Sequence, residues 1–355
     1  MQNSEHSTIK LSKYAHGAGC GCKIAPQVLK DILQPSVMQN SDPKLLVGNG
    51  TNDDAAVYDL GNGQGLIATT DFFTPIVDDA FDFGRIAAAN AISDVYAMGG
   101  KPMMALAILG WPVNTLPPAL AAEVIRGARD ICSKAGIPLA GGHSIDIPEP
   151  VFGLSVNGMV SLAHLKKNST ACEGDLLFLT KAIGTGVFST AQKRELLKEE
   201  DLATLMEQLT ALNSAGAELG SLPDITAMTD VTGFGLLGHL HEMAEAAGLS
   251  AEVSYTAIPK MKEVEQYLAL NTIPDATYRN WNAYQAQTLI EPEVDVMQAF
   301  QLLPDPQTNG GLLFSVKPSA LAQVTALLEG LGLKNVSQPI GRFTARAEKA
   351  VVVKK

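Results

Sequence analysis

A polar stretch at residues 163–174 divides this chain near its middle, and on either side short apolar runs alternate with segments of helical periodicity. Such alternation demands a layered α/β architecture, because the apolar face of each strand and helix has to bury against a neighbour. In the first half, residues 55–60 and 66–70 read as strands, and 83–98 reads as a helix stopped by Gly99-Gly100. Further strands are expected at 104–109 and 151–160, with a helix over 118–135 and a short strand ahead of Gly141-Gly142. The second half repeats the style, with strands at 176–180, 225–229, 251–255 and 312–316 and helices between them. At 355 residues the chain exceeds one ordinary core, so two domains are expected. Thr69-Thr70-Asp71-Phe72 and Met228-Thr229-Asp230-Val231 form a faint echo, each closing a predicted strand with Thr-Asp.

Hydrophobic residues make up 46% and charged residues 18%, a balance that supports burial and excludes a disordered polar chain. No apolar run approaches the roughly 18 residues of a membrane span. The polar start lacks a secretory segment, so a cytoplasmic address is expected. The four cysteines, Cys20, Cys22, Cys132 and Cys172, are spaced too poorly for a disulfide framework. A net charge of −11 argues against a nucleic-acid partner. The short basic runs Lys166-Lys167 and Lys354-Lys355 read as solvated surface.

Three sets of residues carry chemistry. The segment from His16 to Lys23, His-Gly-Ala-Gly-Cys-Gly-Cys-Lys, packs two thiols and an ammonium into a stretch with little side-chain bulk. It can bring a sulfur close to a ligand, with Lys23 favouring the thiolate. Asp53-Asp54, Asp71, Asp94 and Asp230 fall at predicted strand ends, turns or a helix position off the apolar face, where acids can converge on a divalent cation. In the helix after Phe83, Asn90 and Asp94 share the side opposite Ala88, Ala91, Ile92, Val95 and Met98. Glycine-rich turns at 48–51, 141–144, 184–186, 233–235 and 309–311 can present amides to phosphate. None of them is a Walker loop or a GxGxxG fingerprint. His239 and His241 in an expected helix, like Trp111 and Trp281, read as structural.

The runs HGAGCGCKI, NDDAAVYDL, TTDFF, AISDVYAMGGKP, AGGHSID, MTDVTGFGLLGH and DPQTNGGLL cover nearly the whole chain and resemble the motifs of the selenophosphate synthetases, also called selenide, water dikinases. This family lies within the aminoimidazole ribonucleotide synthetase-like superfamily. The resemblance implies an α/β and α+β two-domain fold behind a flexible Gly-rich N-terminal segment: residues 1–49 for the segment, 50–165 for an ATP-binding and dimerising domain, and 166–355 for the C-terminal domain. It implies synthesis of selenophosphate, AMP and phosphate from ATP, selenide and water, supplying selenium for selenocysteine and selenouridine. It also implies Cys20 and Lys23 as catalytic residues, with Cys22 a second thiol. Mg²⁺ falls to Asp54, Asp94 and Asp230, and ATP to Lys23, Thr51, Asn52, Asp53, Asp71, Asp94, Gly142, His143 and Ser144. The expected partners are a second copy of the chain and a selenium-delivery protein, with neither nucleic acid nor membrane. Two rival readings are a superfamily kinase or ligase acting on a small heterocycle with Cys20 idle, and a non-catalytic thiol scaffold that leaves the aspartates without a role.

Overall fold

In the computed structural model, which describes residues 9–15, 17, 19–24, 28, 31, 32, 42–48 and 53–355, the first half folds around one long helix. Strands β1 (Leu45–Val47), β2 (Ala56–Asp59) and β3 (Gln64–Phe73) lead into helix α1 (Ala80–Ala97). Strand β4 (Lys101–Trp111), helix α2 (Pro118–Lys134) and strands β5 (Leu139–Asp146) and β6 (Val151–Ser161) complete the layer. The sheet runs in the order β1-β2-β3-β6-β4-β5. It is antiparallel except for β4 and β5, which α2 joins as a parallel pair.

Helix α1 starts where the Asp79 carboxylate accepts from the Asp82 amide at 2.9 Å. It packs against α2 at van der Waals limits, since a Cβ added at Gly84 or at Gly127 would lie 1.9 Å from a backbone oxygen of the facing helix. From Ile86 to Ala97 every residue of α1 is buried. The expectation that Asp94 lies off the apolar face is therefore corrected. The helix has a second covered side, turned toward the second half of the chain, and Asn90 and Ser93 are fully enclosed with Asp94 only 8% exposed.

The residues at 141–144 are also not a turn. They run through β5, where Gly142 takes φ +157° and a Cβ would meet the Ala107 carbonyl oxygen at 2.2 Å, so only glycine fits beside β4.

The second half contains strands β7 (Leu176–Leu179), β8 (Ile225–Asp230), β9 (Ser250–Ser254), β10 (Thr288–Ile290), β11 (Leu312–Val316), β12 (Gly341–Thr344) and β13 (Val351–Lys354), in the sheet order β10-β13-β9-β12-β7-β11-β8. Its helices are α3 (Thr185–Lys193), α4 (Glu199–Thr210), α5 (Ala215–Gly220), α6 (Gly235–Ala247), α7 (Val264–Ala269), α8 (Asp275–Tyr284), α9 (Val296–Leu302) and α10 (Leu321–Gly330). Strand β11 is buried at every position between β7 and β8, as a central strand should be. Lys166 is not the solvated residue expected. It is 5% exposed and its ammonium donates to the carbonyls of Leu222 (3.0 Å) and Ile225 (2.8 Å), tying the linker to the second sheet. No helix among the described residues is long and apolar enough to cross a membrane.

Candidate active site

Asp71 and Asp230 reach the boundary between the halves from β3 and from the end of β8, while α1 supplies Asn90, Ser93 and Asp94 and the turn before β2 supplies Asp53 and Asp54. The acids are held by short polar side chains. Thr69 Oγ1 donates to Asp94 and Asn90 Nδ2 to Asp71. Across the boundary, Ser93 Oγ donates to Asp230 at 2.5 Å and Thr229 Oγ1 to Asp54 Oδ1 at 2.8 Å. Asn213 Nδ2 supports Ser93 at 2.7 Å, and the Asn168 amide donates to Asp53 at 2.8 Å.

Burial pushes the carboxyls of Asp54, Asp94 and Asp230 up; the charge of Asp230 adds to the rise at Asp54 and Asp94, whereas at Asp230 itself the Ser93 hydrogen bond and the charges of His239 and Lys23 oppose it. Among the described residues, buried Asp54 Oδ2 has no hydrogen-bond partner. Such mutually repelling, under-satisfied carboxylates form an all-oxygen donor set suited to a hard divalent cation. Among the described residues no three His, Cys, Asp or Glu side chains are closed up into a ready-made metal cage.

Cys20 and Lys23 lie over these acids. The Gly19–Cys22 segment is a single tight 3₁₀ turn, and Gly19 takes φ +50° where a Cβ would strike Thr308 Oγ1. Cys20 is 1% exposed; its amide donates to Thr308 Oγ1 at 3.0 Å and its Sγ to Asn90 Oδ1 at 3.3 Å. Lys23 leaves part of its side chain in solvent, yet its ammonium faces the acids: Asp71 first, then Cys20, Asp94 and Asp230 hold it charged against the opposing pull of burial. The arm is fastened further out by Lys193, which donates to the carbonyls of Ala15 (2.8 Å) and Gly17 (3.3 Å), and by Glu195, paired with Lys10 and Lys13.

Cys20, Lys23, Asp53, Asp54, Asp71, Asp94 and Asp230 thus share one neighbourhood. Gly142, His143 and Ser144 do not join it within one chain. They are exposed on the edge strand β5, three strands from β3, and the register puts His143 in line with Ile108, Gly153 and Phe72, on the sheet face opposite Asp71. Thr51, Asn52 and His16, and the side chain of Cys22, lie outside the described residues.

The sequence reading set Asn90 beside Asp94 but gave Asn90, Ser93, Thr69, Thr229 and Thr308 no role in the site. The available signal was the polar trio Asn90, Ser93 and Asp94 inside an otherwise Ala-rich run, a pattern that needs a polar interface when both sides are buried. His239 sits beneath the 230–235 turn, where Nε2 accepts from the Thr232 amide at 3.1 Å and Nδ1 lies 3.2 Å from Glu242. Burial pushes the nearby His241 down to about 4.

Residues 52–160 match the N-terminal domain and residues 173–354 the C-terminal domain of the AIR synthase related proteins. The chain is 54% identical to the selenide, water dikinase of Pseudomonas putida, over 97% of its own length and 98% of the relative's. It is 53% identical to that of Bordetella bronchiseptica, covering 98% and 99%. Among solved structures, thiamine-monophosphate kinase from Stenotrophomonas maltophilia superposes with a TM-score of 0.64 at 19% identity, covering 93% of this chain and 96% of that one. Hydrogenase maturation protein HypE in complex with ATP also gives 0.64 at 19% identity, covering 98% and 94%. At that identity the likeness concerns the fold alone. With relatives this similar along almost its entire length, the chain belongs to the selenide, water dikinase family.

Proposed function

We propose that this chain makes selenophosphate, AMP and phosphate from ATP, selenide and water, and so supplies activated selenium for selenocysteine and selenouridine. The observation that carries this reading is that acids from both halves, Asp54, Asp71 and Asp94 from one and Asp230 from the other, meet under Cys20 and Lys23. Asp54, Asp94 and Asp230 would hold Mg²⁺, which when bound supplies charge neutralisation for phosphoryl transfer. Asp53 and Asp71, with Thr51 and Asn52, position the nucleotide. Lys23, held cationic by Asp71, steadies anionic oxygen or selenide, while the arm that carries Cys20 excludes water from the first transfer and the closed site directs water to the second phosphoanhydride. The division into 1–49, 50–165 and 166–355 belongs to the same proposal and is supported by family matches at 52–160 and 173–354.

A second copy of the chain completes the proposal. The outer sheet face exposes Phe72, Leu106 and Ile145, and a second copy laid on it can carry Gly142, His143 and Ser144 to the nucleotide. A protein donor that hands selenide to the Cys20 arm is included.

Phosphorus NMR of an anaerobic reaction with ATP, Mg²⁺ and selenide tests the reading. The expected products are a phosphorus–selenium species and AMP, both lost in Cys20→Ser. ADP as the final nucleotide, with Cys20→Ser fully active, would mean a simple kinase instead.

A further inference from the structure

Asn213 lies between α4 and α5, outside every motif read from the sequence, and is 3% exposed. Its segment is pressed onto α1: a Cβ added at Gly216 would lie 2.3 Å from the Tyr96 carbonyl oxygen, one helical turn beyond Ser93. Two residues before Asn213, the Ala211 carbonyl accepts from Lys181 Nζ at 2.8 Å and from Asn309 Nδ2 at 2.8 Å. Asn213 therefore meets α1 from a fixed platform.

Both protons of its side-chain amide are engaged, Nδ2 donating to the Gly310 carbonyl at 2.8 Å and to Ser93 Oγ at 2.7 Å. Because a carbonyl only accepts, Gly310 settles which end of the amide faces Ser93. A serine hydroxyl has one proton. Receiving a hydrogen bond from Asn213, Ser93 directs that proton to Asp230 at 2.5 Å, whereas an acceptor at position 213 would draw it away. The backbone amide of Asn309, next to Gly310, donates to Asn90 Oδ1 at 2.7 Å, so α1 is braced from the second half at Asn90 and Ser93 alike.

We infer that Asn213 is a positioning residue for the cation site. By donating to Ser93 it sets the direction of a relay from Asn213 through Ser93 to Asp230, and so holds the one metal-binding carboxylate proposed from the second half in place beside those of the first. The inference rests on the metal role proposed above.

The test reads divalent-cation binding without turnover. Mn²⁺ is titrated into full-length protein holding β,γ-methylene-ATP, and the free ion is followed by electron paramagnetic resonance. Ser93→Ala removes the donor to Asp230 while leaving the bond from Asn213 to Gly310, and should weaken Mn²⁺ binding about tenfold. Asn213→Asp keeps the shape but puts an acceptor where the donor was, and should weaken it about tenfold as well. In the double variant the two losses should not add, since both act through one hydroxyl. If Asn213 only braced the 309–311 turn, Asn213→Asp would leave Mn²⁺ binding unchanged or tighten it through the added negative charge; either result, or losses that multiply in the double variant, overturns the inference. Should Asn213→Asp fail to fold, Asn213→Ala takes its place in the same cycle with an expected loss of about fivefold. A wild type that binds no Mn²⁺ overturns the metal role itself, whereas a wild type that binds it no better than the single variants overturns the relay alone.

Discussion

Asp305 shows how one buried carboxyl can set the pH response of the fold. It meets the first turn of α3, where Oδ2 accepts from the amides of Gly186 (3.1 Å) and Val187 (3.4 Å) and from Gln307 Nε2 (2.8 Å), while Oδ1 is buried without a partner. Burial pushes the carboxyl up to about 8, against the pull of those three donors. The folded state therefore keeps a proton that the unfolded chain has already released. The stability it contributes is complete below about pH 4 and is lost as pH rises through about 8. Asp305→Asn removes that loss, so between pH 6 and 9 the variant should gain about 2 kcal/mol relative to the wild type. Paired melting curves at the two pH values check this, and a constant gap would refute it. At this scale the charged site residues were legible, because acids and a Cys-Gly-Cys-Lys run stand out by type. Asn90, Ser93 and Thr308 were not, since small polar residues look alike in sequence whether they face water or brace a carboxylate.

At the scale of elements, the α1–α2 contact is the most demanding. The backbones approach so closely at Gly84 that a methyl group would collide with the Val124 carbonyl at 1.9 Å, and neither helix can yield without moving the sheet beneath. Gly84→Ala should therefore destabilise the protein by about 2–3 kcal/mol, despite the better helix propensity of alanine, and calorimetry reads this as a fall in Tm. An unchanged Tm would show that the helices can slide apart. Long strands and both helices of the first half were readable from periodicity. Strands β1, β10, β12 and β13 were not, being three or four residues long and defined by their pairing partners. Strand β5 was cut short in the reading because glycine pairs signal turns, whereas Gly142 is there to let β4 approach.

At the scale of the whole molecule, two halves could be counted from the polar break and from length, but not the way they join. The outer face of the first sheet carries Phe72, Leu106 and Ile145 at 52%, 38% and 54% exposure, the apolar surface on which the proposed second copy would lie. Sedimentation should find a dimer, and Leu106→Lys with Ile145→Lys should give a monomer that no longer turns over ATP. A monomeric wild type, or an active monomeric variant, would remove the need for a second copy. Inside the chain, α1 has no solvent side from Ile86 onward: one surface belongs to the first module and the other to the second, with Ser93 spanning between them to Asp230. A change on that helix is felt in both modules at once. A hybrid assembled from the front of one relative and the back of another should therefore work only where the shared helix matches both parents.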